Sequence, residues 1–282
     1  MILFISDGRL GNQLFQYAFL NTIRKDKELV LSLNMEVLVN SFRISNSKFI
    51  NISGNKLFNF LSRKVLPTVL LKLGKYKIIS YIEEQRDTGK RKEGYSFNKG
   101  LLPIIYVKTG FFQSESFFDD KFLDFKQMND SLSVANKVIS KLPNKQKVFI
   151  HVRRGDYLNE VFEGEKNISL PKSYYLKAID IIEKQVSNPF YIFLTDDYDF
   201  VNEAYRDIDN KYISTESMLV DLAIMSKCRY GIVSNSSFSW WGAYLSENKK
   251  MIVFPKYWYG WKSKIDSHPN IQPSWGVIID PN

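Results

Sequence analysis

From residue 147 onward the chain alternates two hydrophobic patterns. Short unbroken apolar runs, rich in β-branched and aromatic residues, predict strands at 147–152, 190–194, 211–213, 229–233 and 251–254. Between them, apolar residues recur at helical spacing over 172–186, 199–206, 216–227 and 237–247. This alternation predicts a parallel sheet with helices on both faces. The first half is less regular. A strand is predicted at 2–6, a helix from the following loop to about residue 25, and a second strand at 28–33. Two apolar rows on that helix, one through Leu14 and Tyr17 and one through Phe15, Phe19 and Ile23, predict that it is covered on two sides. Residues 57–73 are apolar and helical in character, with Pro67 as a break. Arg86–Lys92 reads as a charged loop, 104–107 as a strand, and 117–125 and 131–142 as helices. Pro143-Asn144-Lys145 reads as a linker, which sets domains at 1–143 and 144–282.

Composition adds bounds. A chain of 282 residues suits one large domain or two modest ones, and 44% hydrophobic with 24% charged residues is enough to bury a core. Aromatics are frequent, and most of the phenylalanines read as core. A net charge of +9 favours anionic partners without choosing among nucleotide-sugars, nucleic acid and an acidic membrane. The lysines read as scattered, with no arginine-rich tail, so nucleic acid is not an expected partner. Cys228 stands alone and cannot close an internal disulfide, which fits a reducing cytoplasm. With two histidines and one cysteine, no zinc site is expected. Residues 2–6 are too short for a signal peptide, and no apolar stretch reaches the ~18 residues of a membrane span. Arg63, Lys64 and Lys72 in the apolar 57–73 segment, with Lys75 just past it, leave two readings open, an ordinary surface helix pair or a basic membrane-facing one.

Four places carry chemistry. The predicted strand 147–152 ends in Arg153-Arg154-Gly155-Asp156. Ligands of open α/β sheets bind beyond the carboxyl ends of the strands, and guanidinium suits phosphate. One arginine is expected to face a ligand and the other to make a scaffold ion pair, with Asp156 as the natural partner. Asp196 and Asp197 follow the next strand, but adjacent residues point in different directions, so they read as turn and cap rather than metal ligands. Ser234-Asn235-Ser236-Ser237 lies between a strand and a helix, an arrangement that offers backbone N–H groups to an anion or simply caps the helix. Of the adjacent Trp240 and Trp241, one is expected to pack inward and the other to face a different surface. Asp221 stands among apolar residues of a helix, where a carboxylate needs a partner. It suits the N–H edge of guanine as well as a salt bridge. Gly8-Arg9-Leu10-Gly11-Asn12-Gln13 is a glycine turn without the dinucleotide-binding spacing. Asn12 and Gln13 are candidates for sugar hydroxyls, and Asn12 equally for a helix cap.

In this order the pieces resemble glycosyltransferase family 11, the α-1,2-fucosyltransferases. Residues 8–18 are similar to the family's N-terminal motif, with Arg9 where glycine is usual, and Gly110-Phe111-Phe112-Gln113-Ser114 to its middle motif. His151-Val152-Arg153-Arg154-Gly155-Asp156-Tyr157 matches the His-x-Arg-Arg-x-Asp motif, and 234–245 the C-terminal one. The resemblance implies an α/β chain of two Rossmann-like domains in a glycosyltransferase B-type fold, the acceptor held largely by the first and the nucleotide by the second. It implies inverting transfer of L-fucose from GDP-β-L-fucose to the 2-hydroxyl of a galactoside, with no cofactor and no metal. By position, Arg153 would hold the β-phosphate, His151 and Asp221 the guanosine, Ser236 and Ser237 the diphosphate with Asn235 beside them, and Arg154 the scaffold. Asp156 is the expected base. The expected setting is bacterial surface-glycan synthesis, on a galactoside or lipid-linked acceptor, in the cytoplasm with peripheral contact to the anionic inner face of the membrane. Competing readings are a transferase for another GDP- or NDP-sugar and an inactive carbohydrate- or nucleotide-binding module; a lectin has no use for paired arginines.

Overall fold

The computed structural model describes residues 1–87, 90–120, 125–127 and 129–282, and the side chains of 87–91 and 121–129 lie outside that description. The chain divides into two compact units, Met1–Met128 and Asn129–Asn282. The division falls ahead of the expected linker because the helix Asn129–Lys141 packs on the helix Met218–Lys227 of the second unit.

Unit 1 contains β1 (Ile2–Ile5), α1 (Leu10–Ile23), β2 (Val30–Leu33), α2 (Glu36–Ser41), β3 (Phe42–Ile44), β4 (Phe49–Ile52), α3 (Lys56–Phe60), α4 (Leu66–Lys75), β5 (Ile79–Asp87), β6 (Lys90–Asn98), β7 (Leu102–Val107) and β8 (Phe125–Gln127). Its main sheet runs β4-β2-β1-β7-β5-β6, parallel except for the β5/β6 hairpin. Helix α1 is buried along most of its length, as its two apolar rows predict. The hairpin corrects the charged-loop expectation: Arg86 lies in β5 opposite Arg91 in β6. Pro67 does not break the 57–73 helix. A π turn over Leu61–Val65 precedes it and Pro67 falls in the first turn of α4, where its missing N–H costs little. The helix expected at 117–125 is replaced by a tight turn over Glu115–Phe117 and by β8 at Phe125–Gln127, and the part at 121–124 lies outside the described residues.

Unit 2 contains α5 (Asn129–Lys141), β9 (Lys147–Val152), the short hairpin β10 (Val161–Phe162) and β11 (Glu165–Lys166), α6 (Lys172–Glu183), β12 (Phe190–Thr195), α7 (Tyr198–Ala204), β13 (Lys211–Ile213), α8 (Met218–Lys227), β14 (Tyr230–Ile232), α9 (Ser237–Tyr244), β15 (Met251–Pro255) and β16 (Val277–Ile279). Its sheet is wholly parallel in the order β13-β12-β9-β14-β15-β16. Counted from β9, the strands lie third, second, first, fourth, fifth, sixth, the order of doubly wound nucleotide-binding sheets. Such a sheet reverses direction between its first and fourth strands, here β9 and β14. Strand β9 is buried from Val148 to Val152 because parallel strands are covered on both faces. The core around it joins Val148, Ile150, Tyr174, Phe193, Ile232 and Val253. Trp240 and Trp241 are both fully buried, so neither faces a surface. Helix α9 lies against α8, where a Cβ on Gly242 would meet Met225 at 2.6 Å. Two parallel-dominated α/β units are the architecture expected of the glycosyltransferase B-type fold.

Candidate functional site

The carboxyl ends of β9 and β14 bring the two motif loops of unit 2 together. His151, in β9, is 6% exposed, and its Nδ1 lies 2.7 Å from the Ser234 hydroxyl beyond β14. Burial, and then the nearby Arg153 charge, push its pKa down to about 3, so the ring is neutral near pH 7. A neutral imidazole offers one donor and one acceptor and adds no charge to the site. Tyr157 completes the link: its hydroxyl donates to the Asn235 carbonyl (3.2 Å) and lies 3.1 Å from the Tyr259 hydroxyl.

The arginines differ from expectation in one respect: both are ion-paired. Arg153 Nη1 contacts Asp196 Oδ2 at 2.7 Å, and its Nη2 contacts Asp156. Arg154 pairs with Asp197 (2.9 Å), and its guanidinium stacks 3.6 Å over the Phe200 ring. Asp156 therefore pairs with Arg153 itself, and two arginines stand among three carboxylates. The loop carries guanidinium held in place, not bare positive charge. Asp197 also caps α7 by accepting from the Phe200 N–H at 3.2 Å. Asp196 holds the turn from the other side, because its Oδ1 accepts the Arg154 N–H at 2.9 Å. A Cβ at Gly155 would lie 2.4 Å from Asp196 Oδ2 and would displace the carboxylate that holds Arg153. Sequence reading treated Asp196 as a turn residue; only the fold shows it orienting Arg153. Among the described residues, no group of three His, Cys, Asp or Glu side chains is placed to hold a metal ion.

Beyond β14, Ser236 is the residue that begins α9, yet its hydroxyl makes no capping bond. An α-helix has no carbonyl to offer its first-turn N–H groups, so this end keeps its capacity for an anion. Ser237 follows on the first turn. Asn235 falls out of the donor set: it is fully buried and its amide donates to the Ile168 carbonyl at 2.7 Å, which makes it framework. Asp221 stands on the first turn of α8 and accepts the Ser214 hydroxyl at 2.5 Å, just beyond β13. Burial raises its pKa to about 7, against the lowering effect of the Ser214 bond. A carboxylate that gives up hydration this way gains most from a ligand that donates hydrogen bonds.

In unit 1 the loop after β1 has a different character. Gly8 adopts φ +85°, which admits the Asn12 side chain against it. Asn12 Oδ1 accepts from Gln113 Nε2 at 2.7 Å, which joins the N-terminal and middle motifs. Gln13, expected at the acceptor, is 2% exposed; it donates to the Gly8 carbonyl (3.2 Å) and accepts the Leu38 N–H (2.9 Å). Both ends of its amide hold the backbone, so it is a framework residue. Gln16, which sequence reading passed over, is buried and bonds the Ser6 hydroxyl (2.7 Å) and the carbonyls of Asp7 and Gly110 (3.0 Å each). The glutamines at 13 and 16 sit one helical step apart on α1, and that repeat in a buried helix was the available signal. Arg9 precedes α1 and is exposed.

Comparison with known proteins places these motifs. The chain is 27% identical to the O-antigen biosynthesis glycosyltransferase WbnK of Escherichia coli, over 91% of this chain and 94% of that one. It is also 27% identical to an α-1,2-colitosyltransferase of Escherichia coli, over 89% and 90%. The fold is shared with the crystal structure of the fucosyltransferase NodZ from Bradyrhizobium, at a TM-score of 0.51 and 11% identity, covering 86% of this chain and 93% of that one. The model of glycosyl transferase family 11 matches residues 2–278. With that match running through both units and all four motifs, the chain belongs to glycosyl transferase family 11.

Proposed function

We propose that this protein transfers L-fucose from GDP-β-L-fucose to the 2-hydroxyl of a galactoside or lipid-linked galactose-containing glycan, with inversion, in bacterial surface-glycan synthesis. The observation that carries the reading is the His151–Ser234 bridge at the reversal point of the unit 2 sheet, between a clamped arginine and an uncapped helix start. The fold shared with a fucosyltransferase and the O-antigen glycosyltransferase relative support it.

In this reading the diphosphate lies on the start of α9, with Ser236 and Ser237 as hydroxyl donors. Arg153 exchanges its Asp156 contact for a β-phosphate oxygen, while Asp196 keeps the guanidinium in place. That exchange frees Asp156 as the acceptor arrives. The acceptor 2-oxygen attacks the anomeric carbon, the bond from that carbon to the β-phosphate oxygen breaks, GDP leaves with the electron pair, and Asp156 takes the hydroxyl proton. Guanidinium and helix N–H groups meet the charge growing on the leaving diphosphate, so the step needs no metal. Asp221 accepts hydrogen bonds from the guanine edge, and His151 packs beside the guanosine. Asn12 keeps its proposed acceptor role with its Oδ1 on Gln113, while Gln13 is engaged in framework bonds.

The colitosyltransferase relative brings a second reading, a different deoxy-sugar on the same nucleotide, with the phosphate grip unchanged and only the sugar pocket altered. The deciding experiment is a screen of GDP-sugars against a panel of β-galactosides, scored by released GDP and by linkage analysis of the product. Product from GDP-fucose in α-1,2 linkage supports the first reading. Release of GDP from another GDP-sugar alone supports the second.

A further inference from the structure

Unit 1 carries a surface that the transfer chemistry does not use. Along α3, the π turn and α4, apolar side chains face both ways. Leu66, Leu73 and Phe58 pack with Leu70 on a core of Ile5, Leu33, Ile79 and Tyr106. On the other side Leu57, Leu61, Val65 and Val69 recur every four residues and stand 65%, 45%, 45% and 46% exposed, with Phe60 beside them at 58%. A four-residue step overshoots one α-helical turn, so such a row would drift around a plain helix. The wider π turn at Leu61–Val65 takes up that drift and keeps the row on one side. An ordinary surface helix covers one apolar face and wets the other; here the wet face is apolar too.

Further exposed apolar residues follow the helix end. The Leu101 N–H bonds the Lys77 carbonyl and the Leu102 N–H that of Ile78, each at 2.9 Å, which sets the loop before β7 beside the turn after α4. Tyr76 and Leu101 are the most exposed of these apolar residues, at 78% and 88%.

The segment itself carries charge of one sign, and Asp7, from the loop after β1, reaches its Arg63 at 3.7 Å. Between Glu36 and Glu83 the sequence contains no Asp or Glu, while lysines and arginines recur throughout. The lysines are scattered along the chain as expected, but here no acid of the segment offsets them: the acid-free stretch includes the whole exposed row. Lys64 and Lys72 lie within the same helical segment as the row, and Lys56, Lys75 and Lys77 flank its ends, all exposed.

We propose that this face docks on an anionic lipid surface, with the α3–α4 segment lying in the interface, its apolar row among the acyl chains and its lysines at the headgroups. An exposed apolar row on a lysine-bearing segment that carries no acid of its own is complementary to such a surface. A second copy fits less well, since it would bring two acid-free segments face to face. Among the described residues no helix is long and apolar enough to cross a membrane, so the attachment is in the plane of the interface. The proposal stands apart from the transfer reading, and its test uses neither donor nor acceptor.

The experiment is co-sedimentation of the full chain with vesicles of mixed phosphatidylglycerol and phosphatidylcholine, against phosphatidylcholine alone. The protein is expected to pellet with the anionic vesicles and to be released by salt, as screening requires. Leu57→Ser with Phe60→Ser should weaken partition at least about tenfold, and Lys64→Glu or Lys72→Glu at least about fivefold each. All four positions are exposed, so an unchanged melting temperature shows that the variants fold. Leu176→Ser, at an exposed position on α6 in unit 2, should bind like the parent. Absence of binding at low salt, equal binding to neutral vesicles, or self-association abolished by the same substitutions without vesicle binding would each overturn the proposal.

Discussion

The two motif loops of this protein are built on opposite principles. In unit 1, the loop after β1 spends its polar side chains on its own backbone: Gln13 and Gln16 bond turn carbonyls, and Asn12 meets Gln113. In unit 2, the loops after β9 and β14 keep polar groups poised, with Arg153 clamped at the turn and the Ser236 hydroxyl unused as a cap. Both segments would look equally functional in a motif search. The difference shows that a polar motif can serve either a loop's shape or a ligand, and that hydrogen-bond bookkeeping tells which. Unit 1 is shaped in advance; unit 2 is shaped and also chemically equipped.

Substitutions should separate the two behaviours. Arg153→Ala should lower turnover by about a hundredfold to a thousandfold, the scale of losing one preorganised charge partner, with the far-ultraviolet dichroism unchanged. A near-parental rate would place the chemistry elsewhere. Gln16→Leu tests the other loop. It strands the Ser6 hydroxyl and the Asp7 and Gly110 carbonyls, and should destabilise the fold by about 3 kcal/mol, read as a fall of roughly 10 °C in melting temperature. GDP affinity measured calorimetrically should stay within about twofold; a large loss there would mean that the loops are not independent.

Asp221 gives a pH signature. With its pKa raised to about 7 by burial, it must ionise to accept guanine N–H groups in the proposed role. GDP affinity should be full above about pH 8 and fall by up to about tenfold per unit below 7. Asp221→Asn should flatten that profile. Stability moves the opposite way. A folded pKa above the ordinary carboxylate value of about 4 means that this group's stabilising contribution is complete below that value and is lost as pH rises through 7. The asparagine variant should therefore melt higher than the parent at pH 8, as a site residue that costs stability would.

Ser236→Ala is a smaller test. Because its hydroxyl caps nothing, stability should change by less than about 0.5 kcal/mol, while GDP binding weakens by about fivefold. A clear loss of stability would make it a capping residue after all. Smallest of all, turnover should be the same in EDTA; loss restored by manganese would replace the arginine account of the leaving group.

Much of this was legible in the sequence. The unit 2 strands and helices follow from apolar runs and helical spacing, because a doubly covered parallel sheet leaves a largely apolar run in each strand. The motifs located the loops at the strand ends. Legibility failed where structure depends on partners distant in sequence. The β5/β6 hairpin carries a charged stretch that reads as loop, and the exposed row on α3–α4 spoiled the amphipathic pattern that would have marked the helix. The division at Met128/Asn129 depends on α5 lying on α8, which no local pattern announces.

What the sequence determined by itself was the alternation of elements, the loops that carry chemistry and the charge balance, since all three are local or additive along the chain. The tertiary structure alone decided that Arg153 lies between Asp156 and Asp196, that Gln13 and Asn235 face inward, and that the apolar row beside the lysines remains uncovered. Each of these depends on which surfaces fold back on one another, and a hydrogen bond or a burial is a property of pairs of surfaces, not of a residue.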